Sequence, residues 1–234
     1  MENHQELLAK TVQYLKSKKK ILFLTTSNRW SGEAGGEMPK STNLAYKIAE
    51  KLKGIDVQII EVPKLKIYPC EGNVSTSGGN SCGLKEAILK DSSKNPSGNH
   101  RCWASINNPD DELWKISMEL FKADCVLFFG SIRWGQMNSF YQKLIERLTW
   151  IENRHSALGE DNLIENIEAG IISVGQNWHG NEAMLTQKKV LEYYGFKVVE
   201  DLCWHWQFTE IAEDESDTSY QEAYKEFGKV FLDN

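Results

Sequence analysis

Three short stretches of this 234-residue sequence gather side chains suited to holding a ligand. The first is Thr25-Thr26-Ser27-Asn28-Arg29, followed after a glycine-rich excursion by Ser41-Thr42-Asn43. Hydroxyls, an amide and a guanidinium meet there at what reads as a helix start, and helix N-termini favour anions. That composition suits a phosphate. The plainer alternative is that Ser41 only caps the helix and Ser27 only ends a strand. The second stretch is Ser131-Ile132-Arg133-Trp134-Gly135-Gln136-Met137-Asn138. Gly135 lets the backbone approach a flat ligand, and Trp134 offers an aromatic face. The alternative is a helix-entry turn with a packed tryptophan. The third stretch is Gly175-Gln176-Asn177-Trp178-His179-Gly180, again glycines, amides and an aromatic. His179 reads either as a donor to a ligand or as a solvated surface residue. Neither G-x-G-x-x-G nor G-x-x-x-x-G-K-[ST] occurs at the first stretch, which disfavours a Rossmann dinucleotide site and a P-loop kinase.

Each stretch follows an apolar run. Runs at residues 21–28, 57–62, 125–131 and 169–175, with a fifth inside 196–204, predict strands. Their continuous apolar character suits strands covered on both faces, as in a parallel sheet. Helical spacing predicts helices over residues 1–20, 41–54, 109–122, 138–152, 182–194 and 219–232, with Gly54 and Gly195 as stops. Strands alternating with helices call for an α/β doubly wound parallel sheet of five strands, helices on both faces and right-handed crossovers. The expected strand order is the flavodoxin-like 2-1-3-4-5. Ligands of such sheets bind beyond the carboxyl ends of the strands, where all three stretches fall. Residues 1–234 read as a single domain with a long loop insertion at about 69–109, rich in Gly, Ser and Asn.

A formal net charge of -6 offers no broad basic field for a phosphate backbone, so no nucleic-acid partner is expected. Lys18, Lys19 and Lys20 form the one tight basic run and read as a solvated helix end. The polar N-terminus carries no apolar signal core, and no apolar run suits a membrane span. Five scattered cysteines do not make a secreted disulfide framework. The chain reads as cytoplasmic.

The run Ser27-Asn28-Arg29 with Ser41-Thr42-Asn43 resembles the phosphate loop of flavodoxin-like NAD(P)H-dependent FMN reductases. Ala123-Asp124-Cys125 through Ser131, then Trp134-Gly135-Gln136-Met137 and Gln142-Lys143-Leu144-Ile145-Glu146-Arg147, resembles that family's third strand, isoalloxazine loop and following helix. The similarity covers roughly residues 21–199. It implies non-covalent FMN, with the phosphate on Ser27, Arg29, Ser41, Thr42 and Asn43. The ring would lie near Ser131, Arg133, Trp134, Gly135, Gln136 and Met137, with Gly175, Gln176, Asn177 and Trp178 on its other side. It implies hydride transfer from NAD(P)H through FMN to a small acceptor such as a quinone or flavin. The rival is a flavodoxin-type electron carrier that does not meet a nicotinamide. Lys40, Arg29 and Arg133 are open as partners for a 2′-phosphate.

Pro69-Cys70 also resembles the family. Cys70, Cys82, His100 and Cys102 number enough for a closed zinc site, but their loose spacing favours plain loop cysteines, and no metal is assigned. The segment is expected to form a lid or substrate-side wall. Cys125 and Cys203 read as structural. Trp30, Trp103, Trp134 and Trp178, in or beside loops, suggest a homo-oligomer, a homodimer or homotetramer, since oligomer interfaces favour aromatics.

Overall fold

The computed structural model describes residues 4–29 and 36–233. Helix α1 (His4–Leu15) precedes β1 (Lys20–Thr25), α2 (Lys40–Glu50) and β2 (Asp56–Glu61). Short α3 (Trp103–Asn107) and α4 (Leu113–Leu120) lead to β3 (Cys125–Arg133), the two-residue β4 (Gln136–Met137) and α5 (Ser139–Ser156). The chain continues through β5 (Glu168–Gly175), α6 (Gly180–Tyr194), β6 (Lys197–Gln207) and α7 (Asp217–Phe227), and closes with a π-helical turn.

The sheet order is β2-β1-β3-β5-β6, with every neighbour on that path parallel. It differs from the expected 2-1-3-4-5 by one extra strand. β4 folds back antiparallel on the end of β3 and lies off the main path, pairing Ile132 with Met137 and Arg133 with Gln136. Side chains of the parallel strands alternate between two apolar layers. Leu22, Leu24, Val126, Phe128 and Ile171 face one core with α4, α5 and α6. Ile21, Phe23, Cys125, Leu127, Phe129 and Ile172 face the other with α1, α2 and α7. Both sets are apolar because both faces are covered by helices, which is why the strands read as unbroken apolar runs.

Residues 69–109 are not a lid. The segment packs on α5 and α4, burying Cys82, Cys102 and Ala104 in the α5 core, and Ala87 is buried as well. Several of its polar residues bond one another and α5. Arg147 of α5, fully buried, donates to both carboxylate oxygens of Asp111 at 2.8 and 3.0 Å, to the Tyr68 carbonyl at 2.7 Å and to Ser105 Oγ at 2.9 Å. Ser105 donates in turn to Asp111. His100 Nε2 and Nδ1 bond Ser105 Oγ and Ser117 Oγ at 2.9 and 2.6 Å. The imidazole is therefore engaged with hydroxyls, not with the cysteines. Among the described residues no cluster of His, Cys, Asp or Glu is placed to hold a metal ion. Among them, too, no helix is long and apolar enough to cross a membrane.

Candidate functional site

A cleft of about 300 Å³ opens beyond the carboxyl ends of β1, β3 and β5. The β1–α2 loop contributes Ser27, Asn28, Arg29, Pro39, Lys40 and Ser41. Pro39 is the N-cap of α2, so the helix starts earlier than a Ser41 cap would allow. Proline suits a helix start, where no N–H is needed. Ser41, one position inside the helix, donates to Ser27 Oγ at 2.7 Å, which sets two hydroxyls together at the cleft floor. Thr42 is buried beneath them, its hydroxyl without a partner among the described residues, and neither Thr42 nor Asn43 lines the cleft.

Arg29, Lys40 and Arg133 converge at this end. The Lys40 ammonium is held below its ordinary pKa by burial first and then by repulsion from Arg29 and Arg133, with Glu37 opposing. Glu37 itself approaches Arg29 at 3.4 Å. Like charges in a net acidic chain are unfavourable together unless an anion neutralises them.

The rest of the lining is made by the β3–β4 and β5–α6 loops. Ser131, Ile132, Arg133, Trp134 and Gly135 belong to it, whereas Gln136 points out of the lining and Met137 is buried. Pairing of Arg133 with Gln136 leaves Trp134-Gly135 as a two-residue hairpin turn with φ of 51° and 70°. Positive φ at both central residues is the type I′ requirement, easy for glycine and strained for tryptophan. Trp178 and His179, at φ 60° and 56°, are the other non-glycine residues in this region of backbone space among those described. All the strained residues thus sit in the two loops that meet here, and a Cβ on Gly135 would lie 3.2 Å from that of His179. Strain of this kind persists where surrounding structure holds it, and it gathers at functional sites. Trp134 is 86% exposed and Trp178 40% exposed, so their faces remain available. His179 does not line the cleft. Its ring packs on Trp178, with centroids 4.9 Å apart.

Gly175, Gln176, Asn177 and Trp178 line the third side. The side-chain amide nitrogens are already used. Gln176 donates to Ser219 Oγ and the Asp214 carbonyl, and Asn177 donates to the Ala212 carbonyl. They anchor α7 and the segment before it, from which Glu215, Tyr220 and Ala223 complete the wall. That wall was not legible in the sequence, because it reaches the cleft only through these long-range bonds. Asn138 ties the remaining edges together: it caps α5 by accepting from the Tyr141 N–H, and its amide donates to Thr26 Oγ1 at 3.1 Å. Trp103 is not part of this cleft's lining and donates to the Ser81 carbonyl, and Trp30 lies outside the described residues.

Beneath the β5–α6 loop, His205 of β6 is buried, and burial pushes its pKa down to about 4. Its Nε2 faces Gln207 Oε1 at 3.2 Å, an oxygen that also accepts the Gly180 N–H, and its Nδ1 faces Ser173 Oγ at 2.7 Å. An amide oxygen only accepts, so Nε2 carries the proton and Ser173 donates to Nδ1. The neutral ring is a structural wedge under the loop.

No protein-family model matches the chain, and no curated protein matches it by sequence. Solved structures do match. RosB, solved with the bound intermediate 8-demethyl-8-formylriboflavin-5′-phosphate, aligns at 15% identity over 91% of this chain and 74% of its own, with a TM-score of 0.58. A quinone reductase, so described provisionally, from Klebsiella pneumoniae aligns at 13% identity over 90% of this chain and 83% of its own, with a TM-score of 0.50. The chain shares the flavodoxin-like fold of these enzymes. At such identities the likeness is one of fold, and residue roles rest on the cleft itself.

Proposed function

We propose that this chain is an FMN-dependent oxidoreductase that takes electrons from NAD(P)H and passes them to a small acceptor such as a quinone or flavin. The observation that carries the reading is the make-up of the cleft: Arg29, Lys40, Arg133 and the Ser27 and Ser41 hydroxyls share one lining with the exposed faces of Trp134 and Trp178 and the Gly135 turn. The fold neighbour that holds a riboflavin 5′-phosphate derivative supports it.

FMN fits this donor set. Arg29, Lys40 and the Ser27 and Ser41 hydroxyls would hold its phosphate, with the open N–H groups of the α2 start behind them. Ser131, Ile132, Arg133, Trp134 and Gly135 would flank the ring on one side and Gly175, Gln176, Asn177 and Trp178 on the other. Thr42 and Asn43 would act through the helix start, and Gln136 and Met137 by holding the hairpin. Bound flavin supplies the hydride chemistry. The chain's own residues bind and orient, and the positive corner neutralises the phosphate charge.

Charge-assisted hydrogen bonds to phosphate are each worth about 1.5–3 kcal/mol. Arg29→Ala combined with Lys40→Ala is therefore expected to weaken FMN by at least about 10-fold in a fluorescence-quenching titration. Anaerobic addition of NADPH to the loaded protein should bleach the flavin absorbance. A protein that binds no FMN loses this reading, and one that binds FMN but stays oxidised is an electron carrier instead.

The exposed Trp134 beside the cleft also supports the homodimer or homotetramer. Light scattering of the FMN-loaded protein is expected to give a multiple of the chain mass. A monomer at micromolar concentration ends that part of the proposal.

A further inference from the structure

A second groove, of about 510 Å³, continues from the cationic end of the cleft and shares Arg29, Lys40 and Tyr220 with it. Gln221, Tyr224 and Lys225 of α7 form its far side. Tyr220 and Tyr224 are one helical turn apart, and so are Gln221 and Lys225, so rings and polar groups line up along the groove. Both tyrosines are exposed, at 45% and 43%. The Lys40 ammonium stands 5.4 Å from the Tyr224 ring centre. Lys225 has no ion-pair partner among the described residues, and Glu37 is the one acid on the lining, already facing Arg29. Aromatic faces for a base beside unneutralised cations are the donor set of a phosphorylated nucleoside.

We propose that this groove holds the adenosine 2′-phosphate end of NADPH and so selects NADPH over NADH. The inference rests on the flavin reading of the main cleft, because the nicotinamide at the other end of the same molecule must reach the ring there. The shared Arg29, Lys40 and Tyr220 make one continuous surface for a ligand spanning both. The purine stacks on Tyr220 and Tyr224, and the 2′-phosphate meets Lys40 and Lys225. NADH lacks that phosphate and leaves the Lys225 ammonium unneutralised.

The test uses the full chain loaded with FMN, titrated calorimetrically with adenosine 2′,5′-bisphosphate and with adenosine 5′-monophosphate. The bisphosphate is expected to bind about 10-fold tighter or more. Lys225→Ala should remove most of that preference, and Lys225→Glu all of it. Both should leave FMN affinity unchanged, since Lys225 does not line the main cleft and unchanged FMN affinity certifies the fold. Tyr224→Ala should weaken both nucleotides. Equal affinity for the two nucleotides overturns the proposal, and so does a preference that survives Lys225→Glu. The same titration on FMN-free protein separates the two readings: absence of FMN binding defeats the flavin assignment, whereas loss of the bisphosphate preference in protein that binds FMN defeats only the groove.

Discussion

Arg147→Ala is expected to destabilise the protein by about 3–5 kcal/mol, the usual loss when one partner of a buried ion pair is removed. The guanidinium and the Asp111 carboxylate are both fully buried. Burial alone would raise the Asp111 pKa, but hydrogen bonding and charge from Arg147, with the Tyr68 N–H and Ser105 hydroxyl, hold it below the usual carboxylate range. Without Arg147 that charge is stranded, and the 69–109 segment loses its tie to α5. Arg147→Met keeps the volume and is expected to lose nearly as much, whereas Arg147→Met with Asp111→Leu should recover part of the loss, because no charge is then left buried. Urea unfolding reads all three. A loss below about 1 kcal/mol for Arg147→Ala contradicts this account. Acid should expose the same region. Burial pushes the His100 pKa down to about 4, helped by repulsion from Arg147. Its unfolded value is near 6.5, so between those two pH values the unfolded chain takes up a proton that the native state refuses. Stability is then complete above about pH 6.5 and falls as pH drops toward 4, by roughly 3 kcal/mol for this ring. Asp111, with its folded pKa depressed, adds a further loss at still lower pH. A urea midpoint that stays level from pH 7 to pH 5 would contradict the buried neutral imidazole.

The central strands β1, β3 and β5 were legible because both faces of each are buried, so Ile21 to Leu24 and Cys125 to Phe129 carry no polar interruption. β4 was not, since a two-residue strand has no period to read. Its turn was half-visible: Gly135 announces a positive φ, but Trp134 beside it is a residue that normally avoids one. The hydroxyls and Arg29 at the β1–α2 loop were read as one group, and Lys40 stands with them at the first position of α2, after the Pro39 cap. The 69–109 segment misled for a physical reason. Asn95, His100, Ser105 and Asp111 look like solvated loop residues in sequence, and only the fold shows them buried against one another and Arg147. Polar composition signals exposure unless partners exist, and Arg147, which bonds Ser105 and Asp111 from 42 and 36 residues away, leaves no local pattern. Gln176 and Asn177 line the cleft where the sequence put them, but their side-chain nitrogens donate to Ser219 and the Ala212 carbonyl, contacts no local pattern announces.

Gly180→Ala is the second large effect. Gly180 opens α6 directly after the strained Trp178 and His179, and a Cβ there would lie 1.7 Å from His205 Nε2 and 2.2 Å from Cδ2. The ring cannot swing aside cheaply. Ser173 holds one nitrogen, Gln207 faces the other, and the residue is buried. Either β6 gives up those bonds or the start of α6 moves, carrying the cleft-lining loop with it. Overpacking of this kind costs about 1–3 kcal/mol. Part of the strain should appear as displacement of Gly175 to Trp178, so FMN affinity is expected to fall by about fivefold to tenfold, equivalent to roughly 1–1.4 kcal/mol. Relief should come from the wedge itself. His205→Ala alone leaves a cavity and an unpaired Ser173 hydroxyl and is destabilising, but in the Gly180→Ala background it makes room for the new methyl. The double variant should therefore be more stable than the sum of the single losses by about 1 kcal/mol or more. Urea unfolding and FMN titration of the four proteins give the cycle. Additive losses, or a Gly180→Ala protein as stable as the parent, would show that His205 does not set the position of the loop.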